Sequence, residues 1–143
     1  MPLSPSSIEK LHKDHAYMKA LILRIKGMCS QRGVVDSCDN CATAKRDVCR
    51  SNVDQLIRNF VEVTLKHNLL ETLYMEQGVP HEHRVAHNRA HLEMAEQLQQ
   101  VRAVFSEDGN SLIAIEGIDQ MLDCLEAHAR DFDEPMEAYL QTA

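Results

Sequence analysis

At 143 residues with 44% apolar side chains, the chain is long enough to close one hydrophobic core and is expected to be a single domain, residues 1–143. A formal net charge of −7 argues against nucleic acid, whose phosphates need a basic footprint. No apolar run approaches the roughly 18 residues of a membrane span, and the opening MPLSPSSIEK lacks the charged and apolar regions of a secretory signal.

A cytoplasmic chain is therefore expected. In that setting five cysteines read as thiols, metal ligands or redox groups rather than a disulfide framework. Aromatics are scarce, at 4%, and Leu, Ala and Met common. That mix suits helices, where unbranched side chains lose little rotamer freedom.

The first helix is expected to start near Pro5, with Ser6 and Glu9 spaced as a capping box. Ile8, Leu11, His15, Met18, Ile22 and Ile25 then form one stripe, with His12 to its side. A buried imidazole without a partner is costly, so His15 needs a ligand or hydrogen-bonding role. A cysteine-rich connection follows, at about 29–51. Cys29, Cys38, Cys41 and Cys49 in it can hold zinc, form a disulfide or stay free thiols.

The second helix resumes between Thr43 and Asn52. It carries Val53, Leu56, Phe60, Val63, His67, Leu70 and Tyr74 on its stripe, with Glu71 flanking. Gly78-Val79-Pro80 interrupts it. A third helix places His87, His91, Met94, Leu98, Val101 and Phe105 on one face, with His81 and His83 read as exposed first-turn residues. Ser106–Asn110 is a turn, with Asn110 or Ser111 a cap for the fourth helix. That helix aligns Ala114, Ile118, Met121, Leu125, His128 and Phe132. Four amphipathic helices with no β-type alternation predict an all-α fold, an antiparallel up-down-up-down four-helix bundle.

Residues four apart share a helix face, so His67/Glu71 and His87/His91 are each a two-ligand grip on an ion. His83/His87 has the same spacing; His87/His91 is preferred because it continues into the Met94–Leu98 stripe. His15 and His128 add one ligand from each remaining helix. Asp133 follows His128 by five residues, roughly 140° away on an ideal helix. The two can face one site only if the helix ends or distorts, and Pro135 supplies the reason, disfavouring helical geometry at Glu134.

DHAYM, HNLLETLYM, HNRAH and HARDFD on successive helices resemble the hemerythrin family, in particular its single-domain bacterial members. The resemblance implies two non-haem irons with an oxo or hydroxo bridge. His87, His91 and His128 would complete one iron, His15 and His67 the other, and Glu71 and Asp133 would bridge them. It also implies reversible binding of dioxygen, or another diatomic ligand, on the two-histidine side. That makes the chain a binding protein for storage, delivery or sensing rather than an enzyme. The alternatives are a di-iron redox protein handling peroxide or nitric oxide, and a sensor signalling to a partner protein through the cysteine loop. Asn68, Ala129 and Cys124 stand where the family usually has bulkier apolar or aromatic groups, so a looser dioxygen pocket is expected, while Met18 keeps its apolar place.

Overall fold

The computed structural model describes residues 4–28, 43–108 and 111–142. These are helical apart from short connections. In chain order they form α1 (Pro5–Gly27), α2 (Thr43–Met75), α3 (His81–Asp108), α4 (Ser111–His128), a π-helical turn (Ala129–Asp133) and α5 (Glu134–Thr142). No strand occurs among the described residues, and the fold is all-α. Cys29, Cys38, Cys41 and Asn110 lie outside the described residues, and with them the expected cysteine cluster and one of the two candidate caps. No helix among the described residues is long and apolar enough to cross a membrane.

Helix α1 begins earlier than the capping box predicts. Ser4 is the cap, its hydroxyl accepting from the Ser7 amide at 3.3 Å. Pro5 at the first helical position has no N–H to leave unpaired, and its fixed φ suits the turn. Glu9 is instead paired with Lys13, at 3.2 Å. Between α2 and α3 the break falls where Gly78-Val79-Pro80 places it. The Val79 amide still donates to Met75 O (3.2 Å), and Pro80 O accepts the first bond of α3 from Arg84 (3.0 Å).

Helices α1 and α3 both lie against α2 and α4, and α2 also touches α4. Facing residues run in opposite numerical order. Along α1 and α2 they are Asp14 with His67, Met18 with Thr64, and Met28 with Cys49. Asn68 meets Met94 and Thr72 meets Asn88 across α2 and α3. From α1 to α4 they are Lys26 with Asp119 and Lys19 with Glu126, and on α5 Glu137 continues the order opposite His12. Gly117 sits so close to α3 that an added Cβ would meet Val101 Cγ2 at 2.9 Å.

Two apolar clusters form the core. The larger is built on Met18, Ile22, Ile25, Ile57, Phe60, Leu98, Ile118 and Met121. The smaller comprises Leu11, Met75, Val79, Met136 and Leu140. On α1, α2 and the run from α4 to α5, half-buried His15 and the buried polar residues fall between them in sequence: His15 between Leu11 and Met18, His67 and Glu71 between Val61 and Met75, His128 and Asp133 between Leu125 and Met136.

The α2 seam differs from the predicted one. A heptad step lags an ideal helix by about 20° per heptad, so over three heptads the inward face moves to later residues. Steps of 3.6 residues from Val53 land on Ile57, Phe60, Thr64, His67, Glu71 and Met75, all buried. Val63, Leu70 and Tyr74 are half-buried instead, and Glu71 occupies the seam itself.

Candidate metal centre

The π-helical turn brings the last carboxylate inward. The Glu134 amide bonds to Ala129 O, five residues back, and the backbone on either side stays helical (His128 φ −61°, ψ −44°; Glu134 φ −61°, ψ −47°). Helical geometry at Glu134 contradicts the expectation that Pro135 disfavours it. The helix neither ends nor unwinds; it gains one residue in a single turn, where the ladder has no need of a Pro135 donor. That residue rephases everything beyond it. Phe132, expected inward, is half-exposed, while Asp133, Met136 and Leu140 take the buried line.

His15, His67, Glu71, His87, His91, His128 and Asp133 converge. Glu71, His87, His91, His128 and Asp133, all buried, each offer a ligand atom within 4.8 Å of the others, and so do His15, His67 and Glu71. The two groups share Glu71. Its Oε1 lies 3.0 Å from His91 Nε2 and 3.7 Å from His87 Nε2, and its Oε2 lies 3.4 Å from His67 Nε2. Asp133 divides in the same way. Oδ1 lies 3.0 Å from His87 Nε2 and 3.1 Å from His128 Nε2, and Oδ2 lies 3.0 Å from His15 Nε2. Each carboxylate thus turns one oxygen to the three-histidine group and the other to the two-histidine group.

The donor set fits metal ions. Among the described residues His67 Nε2, Glu71 Oε2 and Asp133 Oδ1 are buried with close polar neighbours but no properly directed hydrogen bond, a cost that ligation would remove. Imidazole and carboxylate together suit first-row transition metals. The buried cluster of Glu71, His87, His91, His128 and Asp133 can therefore hold metal ions.

Electrostatics follow the same grouping. Burial opposes ionisation of Glu71, but the facing imidazoles of His67, His87 and His91 outweigh it and hold the carboxyl down at about 2. Asp133 is likewise held far below the carboxylate range, burial being outweighed by His128, His15 and His87. His87 rises to about 8, since Asp133 and Glu71 overcome its desolvation. The His67 imidazole is also raised, by Glu71, Asp14 and Asp133 against burial. His91 is lowered, as burial and the neighbouring His87 and His128 outweigh Glu71.

Outer partners escaped the sequence reading. Asp14 Oδ2 lies 3.1 Å from His67 Nδ1. His83 is half-buried, not exposed, and its Nε2 lies 3.1 Å from His87 Nδ1. It belongs to neither ligand group, which leaves His87/His91 as the converging pair. Asp14 lies one residue before a seam histidine and His83 one turn before His87, so spacing alone carried a weak signal for each. Among the described residues His91 Nδ1 has no hydrogen-bond partner. His81 is exposed, and His12 is turned to Glu137 at 2.9 Å.

The walls are mixed. One turn from His15 and His67, the Thr64 hydroxyl donates to Met18 Sδ at 3.3 Å. Buried Asn68 donates to Met94 Sδ at 3.7 Å. A cleft of about 210 Å³ reaches His128 and is lined in part by Met94, Gln97, Cys124, Ala127 and Phe132.

Comparison of the chain with family models, curated proteins and solved structures gave no match.

Proposed function

We propose that the chain is a hemerythrin-like, antiparallel up-down-up-down four-helix bundle that holds two non-haem irons and binds dioxygen reversibly. One observation carries the reading: Glu71 and Asp133 each span a three-histidine and a two-histidine group with their two oxygens. A single mononuclear site has no use for that division. The opposed numbering of facing residues supports the bundle topology.

When bound, an iron pair supplies two electrons reversibly to a small ligand. The protein's part is to bind, orient and shield. His87, His91 and His128 would hold one ion and His15 and His67 the other, with Glu71 and Asp133 across both. Fewer protein donors face the His15–His67 half, so an added ligand fits there. Met18 and Thr64 stand one turn away on that side. Met18 excludes water, while the Thr64 hydroxyl introduces polarity near the same wall.

Sensing or redox work is favoured over storage. Buried Asn68 and the cleft beside His128, which includes Cys124, let water and protons nearer than an aromatic wall would. Turnover of peroxide or nitric oxide at the same centre is the second reading, and the polar wall favours it. The deciding experiment is metal analysis with optical spectra of the reduced protein before and after dioxygen. Two irons and a dioxygen-induced absorption that reverses on degassing support the proposal. Consumption of peroxide or nitric oxide without a reversible dioxygen spectrum supports the second reading.

A further inference from the structure

We propose that His83 is a positioning residue, fixing His87 with its ring proton on Nδ1 so that Nε2 is free to ligate. The inference rests on the metal-centre reading above. A neutral imidazole has one N–H and one lone pair. His87 Nε2 faces Asp133 Oδ1 at 3.0 Å and His128 Nε2 at 3.1 Å, the space in which ligand atoms converge. To offer a lone pair there, the ring must carry its proton on Nδ1, and a buried N–H needs an acceptor. The one at hand is His83 Nε2, at 3.1 Å.

Helix geometry sets this up, since His83 and His87 are one turn apart on α3 and stack on one face. A second element holds the outer ring. His83 meets Tyr139 of α5 edge-on with centroids 5.6 Å apart, and Phe132 of the π-helical turn at 6.3 Å. The extra residue that turns Asp133 inward therefore also sets Phe132 beside His83. Asp14 occupies the equivalent place on His67 Nδ1, at 3.1 Å. A carboxylate thus orients one half of the centre and an imidazole the other. His83 does not serve as a rival ligand, because its Nε2 is turned to His87 and not into the cluster.

The test compares the native chain with His83→Phe, which keeps a packed ring without an acceptor, and His83→Gln, whose amide oxygen accepts. Proton–nitrogen-15 NMR of the zinc-loaded protein reads the His87 Nδ1–H, whose slow exchange with solvent reports its hydrogen bond. Cobalt(II) titration reads affinity. The native chain and His83→Gln are expected to show a slowly exchanging His87 Nδ1–H and take up two cobalt ions. In His83→Phe that proton exchanges rapidly and one of the two ions binds about 10- to 100-fold more weakly. A His83→Phe variant with an unchanged His87 Nδ1–H overturns the proposal, even if cobalt is lost, since the loss is then one of packing. A native chain that takes up neither zinc nor cobalt overturns the metal reading and with it the need for the proton on Nδ1, whereas metal uptake with a His87 Nδ1–H indifferent to residue 83 overturns the positioning role alone.

Discussion

His128 and Asp133 are five residues apart in sequence, yet His128 Nε2 lies 3.1 Å from Asp133 Oδ1. A plain α-helix would hold them roughly 140° apart. The π-helical turn at Ala129–Asp133 closes that angle, and Met136 and Leu140 join the core in the new phase.

If setting phase is the turn's purpose, shortening the segment should be tolerated. Deleting exposed Arg130 makes the spacing four, which an ordinary α-helix serves. Pro135 would then lie inside a regular helix and clash with the carbonyl four residues back, at about 3 kcal/mol or more, so the deletion is paired with Pro135→Ala. This variant is expected to keep its metal and helicity, read by metal analysis and circular dichroism. Loss of metal from a folded variant would show that the turn shapes the centre beyond its phase.

His15 and His12 separate ligand from bystander. His15 Nε2 reaches Asp133 Oδ2 at 3.0 Å, whereas exposed His12 reaches Glu137. His15→Ala is expected to lose or alter the metal spectrum, and His12→Ala to leave it unchanged. The reverse result would place the inward face of α1 elsewhere.

Metal affinity should rise with pH up to about 8. His87 is raised from 6.5 to about 8, so at neutral pH it carries a proton that ligation must expel. His91 is lowered and gives up none there. In the metal-free protein the His87 contribution to stability is complete below about 6.5 and lost as pH rises through about 8. That of Glu71 runs the other way, complete above about 4.5 and lost as pH falls through about 2. Competition titrations from pH 6 to pH 9, with denaturation of the metal-free form, test both slopes. A pH-independent affinity would mean that His87 is not displaced from a proton.

Rebuilding the wall should prolong the dioxygen-induced spectrum. Asn68 is buried and Ala129 half-buried, and both are smaller or more polar than an aromatic-lined pocket needs. Asn68→Phe with Ala129→Ile is expected to slow decay of that spectrum, measured by absorbance after mixing with air. A native spectrum that already persists for many hours would remove the case for sensing over storage.

Much of the centre was legible because polar residues stand out in apolar stripes. His15, His67, His87, His91 and His128 interrupt runs of Leu, Ile and Met, and Glu71 follows His67 by one turn. Asp133 could be included only by supposing a broken helix; the break proved to be an inserted residue, which one-residue phase arguments cannot tell from a helix end. Glu71 looked peripheral because heptad counting drifts over a helix as long as α2. Asp14 lay off the stripe, and its contact with His67 is one that spacing does not encode; His83 shares a face with His87, but spacing alone cannot tell an outer partner from a ligand. Ser4 was passed over because a capping box two residues later looked complete.

The central claim is that Glu71 and Asp133 bridge two irons, and metal content per chain by native mass spectrometry tests it most directly. The native chain is expected to carry two irons and His81→Ala to keep both, while Glu71→Ala and Asp133→Ala fall well below two, since a lost bridge affects both ions. A native chain with one iron or none, or a Glu71→Ala variant with both irons and an unchanged spectrum, would contradict the account.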